Sequence, residues 1–116
     1  MTVEKCYEIM KGDYNDVSGR FSSDEKIKKA LIKLLNDPSF ARLCNAVESG
    51  DLEEACRQAN TLRGLSKNLS LTVLAYSTGN LGEAMRGRKV FSDDLEPLFK
   101  KMKKDYALTM ACIQML

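Results

Sequence analysis

An amphipathic helical pattern occupies residues 51–71, which read DLEEACRQANTLRGLSKNLSL. Asp51 and Glu54 match the capping box that starts a helix, and we expect this helix to run to about Asn68. At about 100° per residue, one broad side of it collects the core-forming positions Leu52, Ala55, Ala59, Leu62, Leu65, Ser66 and Leu69. The opposite side is polar, and Asn60 lies at its centre.

The polar side of this helix carries the candidate functional residues. Within about 60° of Asn60 on the helical wheel lie Glu53, Cys56, Arg57, Arg63, Gly64 and Lys67. Gly64 costs about 1 kcal/mol relative to alanine inside a helix, and its missing side chain leaves room beside Asn60. Arg57, Arg63 and Lys67 make the spot attractive to an acidic or phosphorylated partner. On spacing alone, a solvated surface with a tolerated glycine stays open as an interpretation.

The rest of the sequence is also helical in its periodicity, with no alternating strand pattern. Caps and turns predict further helices at about residues 2–11, 13–21, 22–36, 38–49, 71–86 and 92–116. Gly12 is expected to end the first helix and Asp13 to cap the second. Ser22 and Glu25 match another capping box.

The number of amphipathic helices and the shortness of the loops predict the architecture. We expect one all-α domain over residues 1–116, with a helical N-terminal extension at about 1–21 and an antiparallel four-helix bundle at about 22–116. Gly79 and Gly82 would weaken the helix at 71–86, unless a neighbouring helix approaches closely there.

Composition excludes several classes of function. The net charge is only +2 and the charges are interspersed, so we expect no nucleic-acid partner. No apolar run approaches the roughly 20 residues that span a bilayer, and the first residues lack the apolar stretch of a signal peptide. We therefore expect a cytoplasmic protein, a monomer that does not associate with membranes.

The reactive side chains predict neither a metal site nor an enzyme. The four cysteines form no C-x-x-C pair and the chain has no histidine, so free thiols are expected in place of zinc ligands or disulfides. No serine or cysteine has a recognisable base, and we expect no cofactor. Cys56 is the one thiol beside the cationic residues, and packing at a rim is the simpler interpretation of it.

Residues 59–71, ANTLRGLSKNLSL, resemble the signature of bacterial histidine-phosphotransfer (HPt) domains, A-H-T-L-K-G followed shortly by N-L-G. Other stretches resemble stand-alone HPt proteins in the expected order: Gly12–Tyr14, Leu34–Phe40, Glu48–Ala55 and Lys104–Tyr106. The resemblance therefore covers nearly the whole chain.

This resemblance implies a four-helix bundle whose docking surface for receiver domains comprises Cys56, Arg57, Asn60, Arg63, Gly64 and Lys67. In the family a histidine at the position of Asn60 accepts a phosphoryl group from a receiver aspartate. The basic residue matching Arg63 helps to neutralise the phosphate, and the glycine matching Gly64 lets the receiver approach. The chain departs from the pattern at Asn60 and at Ser70, where glycine is usual. We expect Asn68 to supply the left-handed residue that ends the helix.

The departure at residue 60 decides the chemistry that the resemblance allows. The nitrogen lone pair of an asparagine amide is delocalised into its carbonyl, so Asn60 donates hydrogen bonds but is not a useful nucleophile. The favoured interpretation is a pseudo-HPt that docks on receiver domains of response regulators or hybrid kinases without carrying phosphate. Two alternatives stay open: a true HPt protein with an engineered His-to-Asn change at 60, and a helical interaction domain with an unrelated partner.

Overall fold

Seven α-helices make up most of the chain in the computed structural model, which describes all residues from Met1 to Leu116 and contains no β-strand. The prediction of an all-α protein is confirmed. The helices are α1 (Val3–Met10), α2 (Tyr14–Arg20), α3 (Asp24–Leu35), α4 (Ser39–Ser49), α5 (Leu52–Asn68), α6 (Thr72–Met85) and α7 (Glu96–Gln114), with a short 3-10 turn at Asp93–Leu95.

Local capping explains why several of these helices begin where they do. The side chain of Asp13 accepts a hydrogen bond from Asp16 N at 3.0 Å, and that of Asp51 accepts one from Glu54 N at 3.1 Å. The predicted caps at Asp13 and Asp51 are therefore confirmed. Glu54 does not complete the capping box, because its carboxylate binds two side chains further along α5.

The predicted start of α3 is wrong by one residue. Ser23, and not Ser22, is the cap, since Ser23 Oγ accepts a hydrogen bond from Lys26 N at 3.3 Å. Both serines offer the same acceptor, and the helix uses the one closer to Ile27, its first fully buried residue.

The predicted end of α1 is also wrong in its detail. Lys11, and not Gly12, takes the left-handed conformation that ends the helix. Gly12 is needed for close packing instead, because a Cβ there would lie 2.8 Å from Tyr7 Cδ2 and 2.9 Å from the carbonyl oxygen of Ser70. The loop after α1 thus lies directly against the turn between α5 and α6.

Helix α5 lies between α4 and α6, and α7 packs on α6, α3 and α1. The predicted core face of α5 is confirmed: Ala55, Ala59 and Leu62 are buried in one apolar core that all the helices share. Leu65 is only half-buried at its margin. The polar face of α5 is consequently held toward the surface.

Helices α1 and α2 hold the C-terminal end of α5, in a set of contacts that we call the N-terminal clamp. The hydroxyl of buried Tyr7 donates to the carbonyl oxygen of Leu69 at 2.7 Å, and the guanidinium of Arg20 donates to that of Asn68 at 2.8 Å. A cation at this place satisfies carbonyl groups that have no partner within the helix and interacts favourably with the helix dipole.

Ser70 supplies the left-handed residue of the clamp, with φ of 55°, so the prediction that Asn68 would do so is wrong. A positive φ is unfavourable for a serine, but tertiary contacts compensate for it. The hydroxyl of Ser70 donates to Asp16 Oδ2 at 2.6 Å and accepts from Arg20. The backbone oxygen of Ser70 accepts from Asp13 N at 2.8 Å.

None of the helices combines the length and the apolar character needed to cross a lipid bilayer.

Candidate functional site

The polar face of α5 borders an open cleft of about 590 Å³ between α5 and α6, which we call the α5–α6 cleft. Asn60, Arg63 and Lys67 line it from α5. The residues that line it from α6 and from the turn before it are Ser70, Leu71, Thr72, Ala75, Tyr76, Gly79, Asn80, Glu83 and Arg86, the last of which follows the helix. Most of the lining residues are therefore of polar types.

Asn60 is exposed at the middle of α5, as the helical wheel predicted. Its side chain leans toward α6, where Oδ1 lies 3.5 Å from the position that a Cβ at Gly82 would occupy. The Cβ of Ala59 lies only 3.4 Å from the same position. Helix α5 therefore lies in direct contact with α6 at Gly82.

Arg63 lies across α6 above Gly79. Its Nε is 3.0 Å, and its Cδ 3.2 Å, from the position of a Cβ at residue 79. The neighbour of Gly79 is therefore the side chain of Arg63 and not a helix backbone. The missing side chain at Gly79 leaves room for Nε and Cδ of Arg63.

The three predicted cations are not equivalent. The ion pairs of the structure include neither Arg63 nor Lys67, and neither side chain makes a hydrogen bond along α5. Arg57, by contrast, pairs with Glu54 and lies 3.9 Å from Glu53. Arg57 is therefore engaged by two carboxylates of its own helix, whereas Arg63 and Lys67 have no ion-pair partner.

Gly64 and Cys56 lie outside the lining of the cleft. Gly64 is exposed, and a Cβ there would meet nothing within 4 Å, so the surface beside Asn60 is open. Cys56 is half-buried, with its Sγ 3.4 Å from the carbonyl oxygen of Gly82. This contact places the thiol in the seam between α5 and α6.

Sequence reasoning missed the residues that α2 and α6 bring to the cleft. Asp13 and Asp16 line one end of it, next to the clamp. Tyr76 is 72% exposed, and Asn80 follows one turn later. Positions 72, 76, 80 and 83 recur at spacings of four, four and three, which is the signal that marks them as a second polar face.

Two acids of the cleft are already engaged within the protein. The hydrogen bond from Ser70 Oγ and the Arg20 guanidinium, 2.8 Å away, hold the pKa of Asp16 below its usual value. Glu83 lies 3.2 Å from Arg86. The charges that remain free for an incoming anion are therefore mainly those of α5.

The α5–α6 cleft can bind hydrogen-bond acceptors and anions. Its lining includes the amide of Asn60, the guanidinium of Arg63 and the ammonium of Lys67. All three donate hydrogen bonds and none attacks phosphorus readily at neutral pH.

No protein-family model, no curated protein and no solved structure matches this chain significantly.

Proposed function

We propose that this protein is a pseudo-HPt, a binding module that docks on receiver domains of two-component systems without accepting phosphate. The proposal includes the finer architecture, an antiparallel four-helix bundle of the HPt type within which α5 carries the docking face. It rests on the motif at residues 59–71 and on the surroundings of residue 60.

The observation that carries the proposal is the exposure of Asn60 beside two unpaired cations. Arg63 and Lys67 follow Asn60 by one and two turns and line the same cleft. Most other arginines are neutralised within the chain, so an unpaired one at this place favours an external partner. In the family that the sequence resembles, the phosphoryl group comes from an aspartate of the receiver, whose negative charge would complement these cations.

The open space over Gly64 supports the same proposal. Because nothing lies within 4 Å of a Cβ at this position, the glycine serves no packing role inside the protein. A partner that approaches Asn60 closely would explain why a helix-weakening residue is present there.

The proposed role follows from the chemistry of residue 60. A docked receiver would find hydrogen-bond donors and positive charge, but no imidazole to take its phosphoryl group. The protein would therefore compete with true HPt proteins or act as a scaffold.

The experiment titrates the protein against a panel of purified receiver domains, each tested with and without phosphorylation by radiolabelled acetyl phosphate. We expect saturable binding of at least one receiver and no label on this chain. The Asn60→His variant should accept label, because it restores the nucleophile on an intact surface.

The matched variants locate the surface. Reversing both Arg63 and Lys67 to glutamate should weaken receiver binding on the order of tenfold or more, since attraction becomes repulsion. Reversing Lys26, an exposed cation of α3, should leave binding unchanged. The absence of any receiver bound by the parent protein, or binding that survives the double reversal, would contradict the proposal and favour an unrelated partner.

A further inference from the structure

The α5–α6 cleft has the size of a small-molecule site as well as the position of a docking surface. Its volume of about 590 Å³ lies within the range of roughly 300–1,000 Å³ that is usual for ligand pockets. Because most of its lining residues are of polar types, a polar ligand suits it better than an apolar one.

The acids of the cleft lie at its two ends, and each is engaged within the protein. At the turn, Asp16 accepts a hydrogen bond from the hydroxyl of Ser70 at 2.6 Å, and Asp13 caps α2. At the other end, Glu83 lies 3.2 Å from Arg86. The stretch between these ends therefore keeps the positive charge of the two unpaired cations of α5.

Contacts at two glycines show how the walls of the cleft face each other. Asn60 Oδ1 lies 3.5 Å from the position of a Cβ at Gly82, and Arg63 Nε lies 3.0 Å from that of a Cβ at Gly79. The two helices are therefore antiparallel, and three residues forward on α5 correspond to three residues back on α6.

This register places an aromatic ring beside the positive charge. Tyr76 lies level with the stretch of α5 between Arg63 and Lys67, and it is 72% exposed. Asn80 follows one turn later on the same face of α6 and is also exposed. Neither the hydroxyl of Tyr76 nor the amide of Asn80 takes part in the side-chain hydrogen bonds of α6. The α5 wall thus supplies cations, and the α6 wall supplies a ring and an amide.

We propose that the α5–α6 cleft binds a nucleoside monophosphate, with the phosphate on the α5 wall and the base on the α6 wall. Arg63 and Lys67 lie about 6 Å apart along the helix axis, so one phosphate can accept hydrogen bonds from both. The base stacks on the exposed ring of Tyr76. The amide of Asn80 donates and accepts, which matches the acceptor and donor on the edge of adenine.

Both halves of the ligand are needed to use both walls. A phosphate without a base would leave the ring of Tyr76 without a partner, and a nucleoside without a phosphate would leave the two cations unneutralised. The docking proposal requires no such ligand, and this site does not depend on a receiver.

The test titrates the full chain, without any receiver, with adenosine monophosphate (AMP), adenosine and ribose 5-phosphate, and follows the backbone amide resonances by NMR. We expect AMP to shift saturably the resonances of residues 60–67 and 72–80, with each half of the molecule at least about tenfold weaker. AMP without saturable shifts there, or either half binding as tightly as AMP, overturns the proposal.

Variants of each wall confine the site. Tyr76→Ser removes a ring that is exposed, so the fold should persist while AMP binding weakens at least about fivefold. Tyr76→Phe keeps the ring and should bind like the parent. The double variant Arg63→Gln and Lys67→Gln should weaken AMP binding at least about tenfold and leave the weak binding of adenosine unchanged.

Lys26→Gln is the matched control, because it removes an exposed cation of α3 that lies outside the cleft. It should bind AMP like the parent. Parent-like affinity for AMP in either Tyr76→Ser or the double variant of α5 overturns the proposal. Since no receiver is present, the outcome is separate from that of the docking proposal.

Discussion

The turn at the C-terminal end of α5 and the polar face of the same helix differ in whether their polar groups have partners within the protein. At the end, Tyr7, Asp16 and Arg20 satisfy the carbonyl groups and the hydroxyl of residues 68–70. On the face that borders the cleft, the side chains of Arg63 and of Lys67, which lies in the last turn, have no ion-pair partner, although acids are available elsewhere on the surface.

This difference separates stability from binding on one helix. Satisfied polar groups at the turn fix where α5 ends and α6 begins, and so set the width of the cleft between them. The unpaired side chains of Arg63 and Lys67 contribute little to folding and remain available to a partner. Substitutions at the clamp should therefore change stability, and those in the cleft should change binding.

The largest expected effect comes from Gly12→Ala at the clamp. Its Cβ would lie within 2.9 Å of both Tyr7 and the backbone oxygen of Ser70, so the contact between the loop and the turn must open. We expect a loss of about 1–3 kcal/mol in the free energy of unfolding, the usual cost of overpacking, measured by urea denaturation.

Gly19→Ala in α2 is the matched control, because a Cβ there meets nothing within 4 Å. It should be neutral or stabilise by up to about 1 kcal/mol through helix propensity. Equal stability of the two variants would show that the clamp does not depend on close packing at Gly12.

A smaller effect is expected from the titration of Asp16. Its pKa is lowered in the folded state by Ser70 and Arg20, so it contributes stability above its unfolded pKa, near 3.8, and loses that contribution as the pH falls through the lower folded value. The melting temperatures of the parent and of Asp16→Asn should differ at pH 6 and converge toward pH 3. A difference that stays constant with pH would exclude the carboxylate as the cause.

The smallest effect on stability, with the sharpest contrast to the clamp, is expected from Gly79→Ala. Alanine raises helix propensity by up to about 1 kcal/mol, but its Cβ would lie 3.0 Å from Arg63 Nε and displace that side chain. We expect unchanged or slightly higher stability together with weaker receiver binding. Stability is measured by thermal unfolding, and affinity by titration with the receiver domain.

Gly82 offers a check on this reasoning, because alanine there would meet Ala59 and Asn60 and not the guanidinium. Receiver binding weakened equally by Gly79→Ala and Gly82→Ala would mean that the spacing of the helices, and not the position of Arg63, controls docking.

Local patterns predicted much of the fold. The aspartates at 13 and 51 act as caps because a side chain three residues before a free N–H can reach it in almost any context. The core face of α5 follows from helical periodicity, which fixes the directions of Leu62 and Asn60 before any packing is known. The boundary that failed at Ser23 is a place where two neighbouring serines suit the same role. At the end of α1, Lys11 takes the left-handed conformation, while Gly12 packs closely against Tyr7 and Ser70.

The sequence predicted only part of the candidate site, for a related reason. Helical spacing indicated that Arg57, Arg63 and Lys67 share a face, but it could not tell which of them is free. Arg57 is neutralised by rotamer choices on its own helix, while Arg63 is directed across α6 by the missing side chain at Gly79. Side-chain direction depends on the neighbouring element, and spacing along one helix does not encode that.

The sequence by itself determined an all-helical chain, the outward direction of Asn60 and the loss of any imidazole chemistry, because periodicity and functional-group chemistry are local properties. Only the tertiary structure decided that Ser70 adopts the strained turn and that Asp13 and Asp16 border the cleft. These features depend on contacts between residues far apart in the chain, where packing and hydrogen bonding outweigh local preference.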